Sequence, residues 1–482
     1  MSHKGTYDLV VIGGGIAGLA VGEIFARSGF KVALVEKNEK LCMGDSGVHH
    51  EWFHFGSLYS IFPNNQALRT LVGGIDDILV YYRDFEGMNL RVTGDGKLIT
   101  VEKEGSWFRT DEIEYVVSAR NDPDFRLRNA SGPRDFLHRV FALLTWEMAI
   151  KQFIARHNRF SKYDWRRGTA SHYIPRAGFY DYSRNVIYKF RNDKVLLDPD
   201  THFGVKGYDR PMNAYNIVAD LCRSFLSYGG DLRLRSRFLE YRKRGEGIEV
   251  VLEDGVLQTR TLILAMGKDL KDFLRGGVAI NVFVSPLLVV YPHVCDTNFV
   301  RLTPFITRTI NHLKHTAEGK AYSLIGGGYF ARPEDPVERE RIKEALIERA
   351  YQVFPLMKQA QVVEVYFGNK TEVAPTLRDV KKRNYLYRVE QIEKDVYFVV
   401  PGKFSLGFSV AVNAYRNIVG HYPNTYVVYE KALDVRAYVG LMRHKSIIVD
   451  ETHRLASAGE LGERGAADGG LFQRPEGVKG KG

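Results

Sequence analysis

The stretch YDLVVIGGGIAGLAVGEIFARSGFKVALVEK, Tyr7 to Lys37, constrains the fold more than any other part of the chain. An apolar run, Leu9 to Ile12, predicts a strand that ends at Gly13, Gly15 and Gly18. A helical pattern follows, with Leu19, Ile24 and Phe25 among its apolar positions, and Ser28–Gly29 stops it. A second apolar run, Val32 to Val35, ends at Glu36. This is a strand–turn–helix–strand unit of about thirty residues shaped for a dinucleotide pyrophosphate. Gly13 permits the tight turn, Gly15 lets the backbone approach phosphate, and Gly18 lets the helix pack on the strand. The helix N-terminus, opened by Ile16 and Ala17, presents unpaired N–H groups and a positive dipole end. Glu36 stands where a carboxylate accepts hydrogen bonds from ribose hydroxyls, with Lys37 beside it. An acid rather than a base at this position argues against a 2′-phosphate.

The 482 residues exceed what one compact core usually organises. The net charge of +11 is spread along the chain without a concentrated Lys/Arg block, and there is no zinc-finger spacing, so nucleic acid is not an expected partner. Cys42, Cys222 and Cys295 have no paired spacing, which fits a reducing compartment and a cytoplasmic expectation. No charged leader precedes a long apolar run. The apolar run Val278–Tyr291 is too short to cross a bilayer as a helix and reads as buried strand; peripheral membrane contact stays open. The stretch from Gly459 onward is Gly-rich and polar, and is expected to form a flexible tail.

Two later regions carry further signals. Tyr215 to Gly267 reads as a helix, a Gly229–Gly230 stop, a strand at Phe238, and a hairpin ending at Ala265 and Gly267. From Asp395 to Gly420 a strand breaks at Pro401–Gly402 and a helix begins near Leu406–Gly407. With the first unit, these segments resemble the FAD-dependent oxidoreductases of the D-amino-acid oxidase / glycine oxidase superfamily, nearest in motif to its hydroxy-acid and glycerol-phosphate dehydrogenase branches. The resemblance covers roughly residues 5–70, 190–270 and 370–425. It implies an α/β fold: a discontinuous Rossmann-like FAD-binding domain with a doubly wound sheet (1–70, 190–270, 371–440) and a β-rich α+β substrate cap (71–189, 271–370). It also implies FAD as cofactor, a backbone contact to adenine at Phe238, a nucleotide contact from Ala265 and Gly267, and a flavin-facing turn at Gly402, Lys403, Phe404, Leu406 and Gly407. That turn departs from the superfamily's usual Gly-x-x-Gly, because the chain has PGKFSLG.

The stretch GDSGVHHEWFHFGSLYS, Gly44 to Ser60, packs three histidines and several aromatics into seventeen residues. In the hydroxy-acid and glycerol-phosphate branches a His-x-Gly-x-x-Tyr segment lies along the flavin. Here His54, Gly56 and Tyr59 fit that spacing, and Ser46 and Gly47 match the preceding small-residue turn. Three readings compete: a metal site at His49, His50 and His54, core packing, or the lip of the flavin pocket. No acid or cysteine stands at ligand spacing to the histidines, and several buried imidazoles would each need a partner, so the flavin lip is the favoured reading. A covalent His–flavin bond is a variant of it.

Arg210, just before the helix at Tyr215, is a candidate anion contact. Arg378 is a candidate carboxylate ligand by the same resemblance, and Arg383 reads equally well as a surface charge. Chemistry in the superfamily is hydride transfer from a carbon bearing OH or NH to the flavin. An alcohol also needs its proton taken, and a histidine beside the ring suits that task. The expectation is therefore an FAD-dependent oxidoreductase acting on a hydroxy acid or polyol-like small molecule, with an anionic substrate in view. Its rivals are an amine or amino-acid oxidase on the same fold and a non-catalytic FAD-binding scaffold. The electron acceptor, whether oxygen, a quinone or a protein, stays open.

Overall fold

A computed structural model describes residues 6–61, 65–118, 132–141, 165, 187–188, 202–206, 208–274, 278–303, 309–374 and 385–457. Arg378, Arg383, the tail 459–482 and most of the Arg/Tyr-rich run 163–194 lie outside these residues.

The chain opens as its periodicity predicts. β1 (Tyr7–Ile12), α1 (Ile16–Arg27) and β2 (Val32–Val35) follow in immediate succession. Short elements come next: β3 (Trp52–Phe53), α2 (Asn65–Tyr81), β4 (Leu90–Val92), β5 (Leu98–Thr100), β6 (Glu114–Ser118), β7 (Ile187–Tyr188), β8 (His202–Lys206) and β9 (Arg210–Pro211). A regular stretch then resumes with α3 (Ala214–Ser227), β10 (Asp231–Arg233), β11 (Phe238–Arg244), β12 (Gly247–Leu252) and β13 (Gly255–Leu264). The second half contains β14 (Ile280–Tyr291), β15 (Phe299–Leu302), β16 (Ile310–Ala317), β17 (Lys320–Gly327), α4 (Pro336–Val353) and β18 (Gln361–Val373). It ends with β19 (Arg388–Glu393), β20 (Val396–Val400), α5 (Gly407–Val419) and α6 (Arg443–Ser457).

Two eight-stranded sheets organise these elements. In the first, β10, β2, β1, β13 and β20 run parallel, and the antiparallel β11–β12–β13 meander and β19 complete it. The period-two rule divides its side chains. Leu9, Val11 and Leu34 join the core under α1, α3 and α5, whereas Val10, Ile12, Ala33 and Val35 pack with Phe238, Val250 and Leu262. Both faces are thus covered, as a parallel sheet requires. Each buried Val, Leu or Ile contributes about 1.5–3 kcal/mol relative to exposure.

The second sheet has the order β18-β14-β17-β16-β15-β6-β8-β7. The apolar run read as buried strand is its twelve-residue β14, paired along its length with β18. α4 covers one core, through Leu346 and Val353, and Ile447 and Ile448 of α6 join another with Leu287 and Tyr322. Helix α2 crosses the domain boundary expected at residue 70, and its Leu71, Val72, Ile75 and Ile78 belong to the core under α1. Among the described residues no helix is long and apolar enough to cross a membrane.

Candidate functional site at the strand C-termini

The parallel strands of the first sheet all end at one cavity of about 520 Å³, a size suited to a cofactor or small-molecule site. Gly13 follows β1, Glu36 follows β2, Ser236 lies just beyond β10, Ala265 follows β13 and Pro401 follows β20. Ligands bind at this end of an open α/β sheet because the loops there diverge and the helix N-termini point in.

Most expected nucleotide contacts line this cavity: Gly13, Gly15, Ile16, Ala17, Glu36, Lys37, Ser46, Phe238, Ala265, Gly267, Gly402, Lys403 and Phe404. Gly18, Gly47, Leu406 and Gly407 stand behind it. A Cβ on Gly18 would lie 1.9 Å from the Gly13 carbonyl oxygen, so this glycine serves the strand–helix packing expected of it. A Cβ on Gly47 would meet the Cys42 carbonyl oxygen at 2.2 Å, and one on Gly407 would press on Ile16 at 2.8 Å. Gly15 differs, since a Cβ there meets only the Ser46 hydroxyl, at 3.1 Å. That cradle, at the N-terminus of α1, leaves room for phosphate. Ser46 Oγ accepts the Ile16 N–H at 3.0 Å and ties its own turn to the helix start. Glu36 accepts from Gly14 N–H at 2.6 Å and from Asn38 N–H at 2.9 Å, which fixes its carboxylate at the cavity edge. The residues present fit a dinucleotide.

The histidine-rich stretch forms the far wall. His49, His50, Trp52 and His54 line the cavity; Glu51, Phe53 and Tyr59 do not. His54 is held by Asp209. One Asp209 oxygen accepts the backbone N–H groups of Phe55, Gly56 and Ser57 at 2.9, 3.1 and 3.1 Å. The other accepts Trp52 Nε1–H at 3.0 Å and the Tyr115 hydroxyl at 2.6 Å, and lies 3.3 Å from His54 Nδ1. Gly56 has φ +119°, a backbone region that side chains rarely adopt, and this lets three consecutive N–H groups converge on one oxygen. Burial raises the Asp209 carboxyl, but its hydrogen bonds, above all with His54 and Tyr115, outweigh that and keep it below the usual range. With Asp209 ionised, His54 carries its hydrogen on Nδ1 and keeps a lone pair on Nε2.

Burial, and after it the Lys403 ammonium, lower His54 to about 4 against the opposing hydrogen bond and charge of Asp209. His50 is held well below its ordinary value by burial and then by Lys370, His54, His49 and Lys403. These shifts describe an electropositive corner. Lys370 reaches it from β18 and Lys403 from the turn after β20, with the Lys403 ammonium 5.6 and 5.2 Å from the Tyr59 and Tyr385 ring centres. Asn369 and Thr371 of β18 also line the cavity, each donating to Asp45 at 2.9 Å. The second sheet thereby closes the cavity over the first.

Two expected catalytic residues lie apart from the cavity. Tyr59 is buried edge-on to His54, with ring centres 5.7 Å apart, and borders the site through that ring and the Lys403 ammonium. Arg210 pairs with Glu112 at 3.7 Å and donates to Thr100 and to the Asp209 carbonyl, so its guanidinium is turned to the other side of β9. Its neighbour Asp209 is the residue that meets the site. Arg378 lies outside the described residues. Sequence reasoning passed over Asp209, Lys370, Asn369 and Thr371. The Asp209–Arg210–Pro211 run was the one available signal for Asp209; nothing local marks the other three.

A glycine-turned β1–α1 unit, an acid after β2 and a cavity at the ends of five parallel strands are the marks of a dinucleotide-binding α/β fold. The family model described as FAD dependent oxidoreductase, DAO, matches residues 8–136, the part of the chain that holds the glycine turn and the histidine-rich stretch, and that part is similar to FAD-dependent oxidoreductases of this type. Solved structures share this architecture. L-α-glycerophosphate oxidase from Mycoplasma pneumoniae, solved dithionite-reduced with FAD bound, has a TM-score of 0.55 at 13% identity, covering 91% of this chain and 99% of that one. L-amino acid deaminase from Proteus myxofaciens, solved with anthranilate, gives 0.54 at 14%, covering 87% and 92%. L-proline dehydrogenase from P. horikoshii gives 0.52 at 12%, covering 87% and 95%. At these identities the likeness is one of fold. No curated protein matches the chain in sequence.

Proposed function

We propose that the protein oxidises a small anionic substrate at a carbon bearing a hydroxyl group, such as a hydroxy acid or an acidic polyol derivative. The observation that carries this reading is the His54–Asp209 pair on the cavity wall, beside Lys370 and Lys403. In this reading Gly13, Gly15, Ile16, Ala17 and Ser46 cradle the FAD pyrophosphate, Glu36 takes the ribose, and the Gly402–Phe404 turn borders the flavin. FAD supplies the two-electron acceptor for the hydride. The protein's own groups do the rest. Lys370 and Lys403 hold the substrate anion, His54 Nε2 takes the hydroxyl proton as the carbonyl forms, and Asp209 keeps the imidazole oriented and stabilises its charge. The neighbouring Trp52 and His50 rings restrict water around that proton.

Anaerobic bleaching of the bound flavin by a panel of hydroxy acids, acidic polyols, amines and amino acids tests the substrate class. Reduction by amines or amino acids alone would overturn the hydroxyl assignment, and reduction by none would favour the scaffold. With the active substrate, Lys370→Met should raise KM about tenfold with a smaller change in kcat, because a removed anion contact acts mainly on binding.

The pH dependence follows from the His54 shift. A general base works only when neutral, and His54 is lowered to about 4. kcat/KM should be flat from neutral pH down through mildly acidic pH, then fall as pH drops through that value. An anion bound beside Lys403 offsets part of the ammonium's effect, so the acid limb of kcat should lie at higher pH than that of kcat/KM. An acid limb in kcat/KM near the ordinary histidine value would place the proton elsewhere.

A further inference from the structure

Behind the cavity wall, Glu51, His315 and His444 bring ligand atoms from three distant parts of the chain to one point, all within 4.8 Å of one another. Glu51 precedes β3, His315 lies on β16, and His444 is in the first turn of α6. All three are buried, at 1%, 3% and 0% exposure. Glu51 Oε2 is 3.5 Å from His315 Nδ1 and 3.4 Å from His444 Nε2. Such distances are long for hydrogen bonds, which favour about 2.7–3.2 Å. They match the spacing between neighbouring ligands of a tetrahedral ion: bonds of about 2.0–2.1 Å put the ligand atoms roughly 3.3–3.4 Å apart.

Three further observations point the same way. His444 Nε2, the atom that faces Glu51 Oε2, is buried without a hydrogen-bond partner. The other His444 nitrogen, Nδ1, is fixed by the Tyr322 hydroxyl at 2.6 Å, the outer-shell contact that orients a ligating imidazole. Glu51 itself has φ +56°, a left-handed backbone that a glutamate adopts only under constraint, and this turns its side chain away from the cavity that His50 and Trp52 line.

We propose that Glu51, His315 and His444 form a buried site for a divalent transition ion of the zinc type. Two imidazoles and a carboxylate select such an ion over magnesium or calcium, which take oxygen ligands. Lys445 sets the competition. Its ammonium lies 2.9 Å from Oε2 and 3.1 Å from Oε1 of Glu51. Oε1 also accepts the Ala214 N–H at 2.8 Å. A metal on Oε2 moves the ammonium toward Oε1, so Lys445 weakens the ion's hold without abolishing it. The ion ties the segment before β3 to the second sheet and to α6. Because Glu51 N–H donates to His49 Nδ1 at 3.0 Å, it steadies the histidine wall from behind.

The test uses the full-length flavoprotein. Metal content is measured by plasma mass spectrometry after purification with and without added zinc sulfate, alongside melting temperature with zinc and with EDTA. Cobalt is then used as a probe of tetrahedral absorption. The expected result is one retained equivalent of zinc, a melting transition raised by zinc and lowered by EDTA, and intense cobalt bands in the visible. Glu51→Gln and His444→Ala should each lose the bound metal, and Lys445→Met should bind it at least tenfold more tightly. A wild-type protein that keeps no stoichiometric zinc and shows no melting shift with zinc or EDTA overturns the proposal, and this measurement needs no variant to fold. Metal retained equally by Glu51→Gln and His444→Ala overturns it as well, since the ion then sits elsewhere. None of these readouts depends on the substrate assigned above.

Discussion

Gly15→Val should give a folded protein that has lost its yellow colour. In the structure a Cβ at Gly15 meets only the Ser46 hydroxyl, and the residue's φ of −73° suits any amino acid, so the substitution leaves the apoprotein intact. The isopropyl group would instead occupy the cradle at the N-terminus of α1, where a pyrophosphate approaches the backbone. FAD affinity should fall at least about 100-fold, roughly 2.8 kcal/mol at 1.4 kcal/mol per decade. Gly13→Val is the contrasting control. There φ is +108° and a Cβ would lie 2.4 Å from the Ala265 carbonyl oxygen, so folding itself should fail. Flavin content by absorbance and melting by circular dichroism check both variants. Full flavin retention in Gly15→Val would remove the pyrophosphate from this turn.

His54→Ala should slow substrate-driven flavin reduction by about 10²–10⁴-fold, the range for removal of a general base. The fold should survive, because the Asp209 carboxylate keeps five other donors: three backbone N–H groups, Trp52 and Tyr115. Asp209→Asn is a different experiment. It weakens acceptors for all of those donors and lets the imidazole take the wrong tautomer, so it should cost both stability and rate. Stopped-flow reduction under anaerobic conditions reads both variants. A loss of only a few-fold in His54→Ala would reduce His54 to a positioning residue. His49→Ala and His50→Ala should do less, since neither ring contacts Asp209. Flavin that stays with acid-precipitated wild-type protein, and not with one histidine variant, would identify a covalent link.

The likeness to a proline dehydrogenase, an amino acid deaminase and a glycerophosphate oxidase at 12–14% identity is one of fold, and within a shared fold the site sets the function; here the second sheet closes the cavity. In this chain that sheet contributes Asn369, Lys370 and Thr371. They come from one edge strand, β18, whose Gly368 lets the backbone pass close to Val48: a Cβ there would lie 2.6 Å from the Val48 carbonyl oxygen. A side chain at that glycine would lift the strand and carry Lys370 away from the corner it shares with Lys403.

What the sequence determined by itself was the nucleotide half. Strand, glycine turn, helix and terminal acid are neighbours in the chain, and their spacing is set by local geometry: period two, period 3.6, and the conformational freedom of Gly13. The same holds for the β12–β13 hairpin and the start of α5, which fall where the turn residues put them. The substrate side follows no such rule. His54 is legible as a motif, but its partner Asp209 is 155 residues away in the chain, and its electrostatic neighbours Lys370 and Lys403 are more distant still. The resemblance pointed to Arg210 because the helix after it is entered from the substrate side; in the structure Asp209 meets the site and Arg210 turns toward Glu112 and Thr100. Glu51, His315 and His444 carry no shared spacing at all. Only the packing of α6 and β16 against the segment before β3 brings them together, because burial and charge pairing act through space, and the tertiary structure alone sets those distances.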